Sequence, residues 1–178
     1  MRIYLVGFMG AGKTTVGRRV ARRLGLSFVD LDTEIERQAG VAIPVIFERE
    51  GESGFRQRER AALRALSRRR GIVVATGGGT LSSPENRELI RRSGRSIFLD
   101  APLEVLFDRI ERSSRSRPLF RDRDQARRLY ERRLEGYRDA ELAIPVAAGD
   151  AADEVAARIV ERLVERLSER LENGSCAT

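Results

Sequence analysis

The sequence predicts a three-layer α/β/α fold around a central parallel sheet of about five strands, and three observations predict it. Short apolar runs recur along the chain: Ile3–Val6, Phe28–Val29, Ile72–Ala75, Ser96–Leu99 and Leu142–Val146. Segments with helical spacing of apolar residues separate them. The length, 178 residues, holds one domain with a substantial core but not two comfortable ones.

Each element has its own signal. Ile3-Tyr4-Leu5-Val6 is apolar without interruption and ends in glycine, as a strand covered on both faces does. A helix follows from about Thr14 to Leu24, with Val16, Val20, Ala21 and Leu24 on one side and Gly25 as its stop. Phe28-Val29 makes a brief second strand that runs into Asp30-Leu31-Asp32. Two or three helical segments fill 33–69, broken at Gly40 and Gly51. Ile72–Ala75 is a third strand, ended abruptly by Gly77-Gly78-Gly79. A helix near Pro84–Arg92 leads through Gly94 to the strand Ser96–Leu99, and another helix starts at about Pro102, a residue suited to a first turn. Residues 111–124 are polar, rich in arginine and interrupted by Pro118, which predicts a mobile excursion, a lid, rather than core. Helix resumes over about Gln125–Ala140, and a short strand follows at Leu142–Val146. The final helix, about 151–171, sets Val155, Ile159, Leu163, Leu167 and Leu171 in an i,i+4 row that is expected to pack on the domain's own sheet. The organisation expected is a single domain over 1–172 and a disordered tail over 173–178, with no repeat and no linker.

Composition narrows the chemistry. No apolar run approaches the roughly 20 residues that cross a bilayer. The opening Met1–Gly7 is too quickly glycine-rich for a signal peptide, so a cytoplasmic location is expected. Cys176 is the only cysteine and has no partner for a disulfide. There is no histidine, which removes His-based triads, His general bases and His-containing zinc sites. The formal charge is +7. Arginines alternate with acids, as in Glu161-Arg162, Glu165-Arg166 and Glu169-Arg170, the pattern of a solvated helix face. With no Trp and few aromatics for base stacking, neither nucleic acid nor membrane is the expected partner, and a monomer is expected. Lys13 is the only lysine in a chain that otherwise uses arginine. A compact ammonium retained at one position marks that position as special.

Lys13 lies in Gly7-Phe8-Met9-Gly10-Ala11-Gly12-Lys13-Thr14, a full match to G-x-x-x-x-G-K-[ST]. The glycines let successive backbone N–H groups turn inward on phosphate oxygens, and the following helix adds its N-terminal amides. Lys13 then reaches the β- and γ-phosphates, and the Thr14 hydroxyl ligates Mg²⁺. The motif follows a predicted strand and opens a predicted helix, which is the context it needs.

The acceptor side is read from three further features. Asp30 and Asp32 follow the second strand at the carboxyl edge of the sheet, where open α/β sheets bind ligands. In an extended segment a spacing of two points both carboxylates to the same side. One then holds the Mg²⁺ shell while the other takes the proton of an incoming hydroxyl; the alternative is a pair of helix-capping aspartates ahead of Thr33. Arg56 falls near the start of a helix opened at Gly51, where a positive charge opposes the helix dipole, so a purpose such as binding a carboxylate is indicated. Gly77-Gly78-Gly79 permits close approach of backbone to a ligand, or makes a plain tight turn.

Taken in order and spacing, the set resembles the shikimate kinases: Gly-x-x-Gly-x-Gly-Lys-Thr, Asp-x-Asp, Gly40 with Ile43-Pro44-Val45-Ile46-Phe47, Gly51-Glu52 with Phe55-Arg56 and Glu59, the Gly77–Gly79 triplet and Arg117-Pro118-Leu119. The matching runs from residue 3 to about 137. The resemblance implies a P-loop kinase fold with a mobile lid and ATP-dependent phosphorylation of a shikimate hydroxyl. It implies that Gly10, Ala11, Gly12, Lys13, Thr14 and Thr15 hold ATP phosphates and that Thr14 and Asp30 serve Mg²⁺. Asp32 grips the shikimate hydroxyls and accepts the proton, Arg56 and Arg133 clamp the carboxylate, and the Gly78 backbone binds a ring hydroxyl. Arg117 closes over ATP and stabilises charge on the moving phosphoryl group. Two departures stand out. The family's Arg-x-Pro-x-Tyr reads Arg133-Leu134-Glu135-Gly136-Tyr137 here, which leaves Arg132 and Arg138 as rivals to Arg133. Ala147-Ala148-Gly149-Asp150 replaces the family's adenine-contacting turn, so no adenine contact is assigned.

Overall fold

The structure is a computed structural model that describes residues 1–112 and 123–174. Five strands, β1 (Arg2–Val6), β2 (Ser27–Asp30), β3 (Ile72–Ala75), β4 (Arg95–Asp100) and β5 (Leu142–Pro145), form one sheet in the order β2-β3-β1-β4-β5. All four pairings are parallel. A parallel sheet needs a crossover between successive strands, and helices supply it: α1 (Lys13–Leu24), α2 (Leu31–Ala39), α3 (Ile43–Leu66), α4 (Pro84–Ser93), α5 (Leu103–Glu111) and α6 (Arg123–Arg138), with α7 (Ala152–Gly174) last. Helices cover both faces, so the central strands are buried throughout: Ile3 to Val6 and Ile72 to Ala75 form the middle of the core.

The chain passes from β1 to β2 on one side of the sheet and reaches β4 on the other, so the order reverses around β1. The crevice at the carboxyl ends of β1, β3 and β4 is where such sheets bind ligands. The glycine-rich loop after β1 and the glycine turn after β3 both open there.

Element boundaries follow local chemistry. Gly25 and Gly40 end α1 and α2 in the left-handed conformation. Gly51, at φ 67° and ψ −174°, breaks α3 into two helical segments that meet at a kink, as expected. The expected excursion over 111–124 is narrower: residues 111–112 finish α5 and residues 123–124 begin α6. Arg123 pairs with Glu111 at 2.8 Å and joins those two helix ends. The rest of the expected lid, with Arg117, lies outside the described residues.

Two expectations need correction. Asp30-Leu31-Asp32 is not an extended segment: β2 stops at Asp30 and α2 begins at Leu31. The Asp30 carboxylate itself causes the change, accepting from the backbone N–H of Asp32 (3.1 Å) and of Thr33 (3.5 Å) as an N-cap. The final helix, expected over about 151–171, runs from Ala152 to Gly174 and packs mainly on α1 and edge strand β5. Val155, Ile159 and Leu163 are buried, but Leu167 is 41% exposed, so the apolar row leaves the domain before it ends.

Candidate active site

The loop from Gly7 to Gly12 is shaped by glycines at positive φ, 82° at Gly10 and 92° at Gly12, a region that L side chains rarely adopt. Gly12 stands at the N-cap of α1 with no side-chain cap, leaving first-turn amides of α1 for a ligand. Lys13 folds back along the loop, its Nζ donating to the carbonyls of Gly7 and Phe8 at 2.8 Å each. Ala11 is buried and Thr15 exposed at the two ends of this turn. Next to it, Thr14 Oγ1 donates to Asp30 Oδ2 at 2.7 Å, so the cap of α2 and the start of α1 share one carboxylate. Capping and site roles for Asp30 are therefore compatible: Oδ1 caps the helix while Oδ2 faces Thr14.

Asp32 sits in the first turn of α2, half-buried, against the glycine turn after β3. A Cβ placed on Gly77 would stand 3.0 Å from Asp32 Oδ1 and 3.2 Å from Glu59 Oε1. Burial chiefly pushes the Asp32 carboxyl up to about 6; the neighbouring Asp30 charge adds to this, Lys13 opposes it, and Glu59 and Glu36 add smaller increments.

On the far side of the same turn, two guanidiniums converge. A Cβ on Gly79 would meet Arg56 Nη2 at 2.7 Å and Arg133 Nη2 at 3.1 Å. Arg56 stacks over the Phe55 ring at 5.2 Å and pairs with Glu59 at 2.9 Å and Glu52 at 3.2 Å. Desolvation pulls its pKa down, but the Glu59 and Glu52 carboxylates outweigh that and hold it above its ordinary value. Arg133 shifts the other way: burial lowers its pKa, the Tyr137 hydroxyl opposes this, and the Arg56 charge lowers it further. The rivals are placed differently, since Arg132 and Arg138 are both exposed while Arg133 is half-buried beside Gly78 and Gly79. Gly78 joins the two halves of the site: a Cβ there would lie 3.4 Å from Arg133 Nη1 and 3.6 Å from Met9 N in the P-loop.

Glu59, Thr80 and Tyr137 have no role assigned by the sequence alone. Glu59 is 1% exposed and uses both oxygens, one on Arg56 and one accepting from Thr80 Oγ1 at 2.7 Å. Asn86 Nδ2 in turn donates to the Thr80 carbonyl at 3.0 Å. Glu59 left a trace in the sequence, three residues after Arg56 where a helix brings the two side chains together, and Tyr137 stands in the Arg-x-Pro-x-Tyr correspondence.

The cradle, the carboxylates at the sheet's carboxyl edge and the strand order define a P-loop phosphate-binding protein of the small-kinase type. Comparison with known proteins specifies it. The family model for shikimate kinase matches residues 9–164. The shikimate kinase of Thiobacillus denitrificans is 48% identical over 154 residues, 84% of this chain and 84% of that protein. That of Bordetella avium is 54% identical over 122 residues, covering 68% of this chain, which thus spans 58% of that relative's length. Among solved structures, shikimate kinase from Acinetobacter baumannii in complex with shikimate superposes with a TM-score of 0.88 at 42% identity, over 93% of each chain. The chain belongs to the shikimate kinase family.

Proposed function

We propose that this chain transfers the γ-phosphoryl group of ATP to a hydroxyl of shikimate, giving shikimate 3-phosphate and ADP on the route to chorismate and the aromatic amino acids. The observation that carries the reading is the single glycine turn flanked by Asp32 on one side and by Arg56 and Arg133 on the other, against the P-loop. Two guanidiniums held side by side call for an anion between them, and a carboxylate matches their forks. The Acinetobacter baumannii relative is solved with shikimate bound, a carboxylate that also carries ring hydroxyls.

Phosphoryl transfer needs in-line positioning and charge neutralisation more than covalent help. In this reading the backbone amides of Gly10 to Thr15 surround the phosphates, and Lys13 leaves its loop carbonyls to follow the β- and γ-phosphates. Arg56 and Arg133 hold the acceptor's carboxylate, and Gly78 offers backbone to a ring hydroxyl. Asp32 accepts the proton of the attacking hydroxyl as its oxygen bonds to the γ-phosphorus and the bond to ADP breaks. Arg117 covers the phosphates and excludes water. The Thr14 hydroxyl and Asp30 carboxylate are hard oxygen donors of the kind Mg²⁺ takes. The ion, when bound, neutralises charge across the phosphate oxygens. The reading includes a monomeric cytoplasmic protein that engages neither nucleic acid nor membrane.

Coupled-assay ADP release from MgATP tests this, with shikimate, quinate and gluconate as acceptors. Strong stimulation by shikimate alone is expected. Equal rates with all three, or none above the ATP background, would overturn the substrate while leaving the nucleotide site in place.

A further inference from the structure

One buried polar group on the wall of the site has no part in the mechanism above. Tyr137, near the end of α6, is 1% exposed, and its ring stacks on Phe98 of β4 with centroids 5.4 Å apart and planes at 23°. Its hydroxyl donates to the carbonyl of Gly78, the central residue of the glycine turn. One helical turn earlier on the same face is Arg133, whose guanidinium lies within electrostatic reach of that hydroxyl and beside Gly78 and Gly79. A further turn back, Tyr130 meets Phe8 of the P-loop edge to face at 5.5 Å. One stripe of α6 thus touches the phosphate loop, the acceptor-side arginine position and the glycine turn in succession. The approach is close because residue 136 is glycine: a Cβ there would stand 2.9 Å from the Leu81 carbonyl.

We propose that Tyr137 is a positioning residue for the acceptor site: its hydroxyl ties α6 to the Gly78 carbonyl and thereby fixes Arg133 beside Arg56. This rests on the reading of Arg133 as a carboxylate ligand. Arg133 and Arg56 carry like charges and repel, and the tether opposes their separation. A bare guanidinium on a long stem has many rotamers, and ordering it in advance removes that cost from binding. The same hydroxyl orients the Gly78 peptide, so backbone and side-chain contacts to the acceptor are set together.

Tyr137→Phe keeps the ring on Phe98 and removes only the hydroxyl. Two measurements test the proposal. The first is independent of the substrate: the rate at which phenylglyoxal modifies Arg133 in the ligand-free protein, followed by peptide mass. The variant should react severalfold faster, and an unchanged rate overturns the proposal whatever the acceptor proves to be. The second uses steady-state kinetics with shikimate. The variant should raise the KM for shikimate up to about tenfold, the upper end of what one neutral hydrogen bond contributes, with the KM for ATP and kcat little changed. In an Arg133→Ala background the same substitution should add clearly less, since only the Gly78 contact is then left to lose. Equal penalties in both backgrounds, or parallel changes in both KM values, would reduce Tyr137 to a packing residue and overturn the proposal. A wild-type protein active on another acceptor only would sink the substrate and leave the modification result to decide the tether.

Discussion

Asp32 is a carboxylate whose surroundings oppose its charge. With its carboxyl pushed up to about 6 against an ordinary 3.8, it is largely ionised at pH 7 and largely protonated at pH 5. A proton acceptor must be ionised, so kcat/KM should fall as pH drops through about 6, and the acid limb of the pH–rate profile checks this. Stability should show the opposite dependence. Above 6 the folded state carries a charge its burial disfavours, a cost on the order of 2 to 3 kcal/mol that fades as pH falls towards 3.8. Asp32→Asn should therefore raise the unfolding free energy at pH 7 by up to that amount while removing activity, and the gain should vanish near pH 4. Denaturant titrations of both proteins at the two pH values would show it; a loss of stability at pH 7 would mean the site holds Asp32 by contacts not yet identified. Lys13→Ala should lower kcat about 10²- to 10³-fold, the effect of losing a charge aimed at the transferring group, with little change in unfolding midpoint.

At the scale of elements, helix ends do double duty at this site. Ala42, the N-cap of α3, has no side-chain acceptor to offer. Glu36 of α2 supplies one instead, its Oε1 accepting from the Ile43 N–H at 3.0 Å. Glu36→Ala should cost about 1 kcal/mol in denaturant unfolding, as a lost cap does, whereas Glu36→Gln keeps an acceptor and should cost less. Glu36→Gln should also lower the acid limb of the pH–rate profile slightly, since the Glu36 charge helps to raise Asp32. These capping relations explain what the sequence could and could not disclose. Strand runs such as Ile3–Val6 and Ile72–Ala75 announce themselves because burial on both faces demands uninterrupted apolar residues. The switch from strand to helix at Asp30 does not, because the same Asp-x-Asp suits an extended segment or a cap, and the cap onto the Asp32 and Thr33 amides shows only in the folded backbone. The short 3₁₀ turn Thr80–Ser82 is too brief to leave a periodic trace, although it anchors the Gly77–Gly79 turn through Thr80 and Glu59.

Over the described part of the molecule, many surface arginines pair with carboxylates, as in Arg58–Glu50 at 2.8 Å, Arg91–Glu88 at 2.8 Å and Arg162–Glu165 at 3.0 Å. Such exposed pairs contribute little each to stability, typically below about 1 kcal/mol. The core carries the fold, and α7 shows where it stops: Ile159 is fully buried, while Val164 and Leu167 are 55% and 41% exposed. Ile159→Ala should cost about 2 to 4 kcal/mol, but Leu167→Gln should stay within about 0.5 kcal/mol of the parent in the same unfolding assay. Sedimentation should give a monomer for both the parent and Leu167→Gln; a change of mass would place a second copy on that face. The i,i+4 row of α7 was legible in the sequence, but its partner was not, since periodicity reports an apolar stripe and not the element that meets it. The sole lysine has a practical outcome. Apart from any terminal amine, amine-directed acylation of this protein has one destination, the ammonium that donates to Gly7 and Phe8. A single mass increment, suppressed in proportion to bound nucleotide, would make the protein its own stoichiometric gauge of ATP-site occupancy.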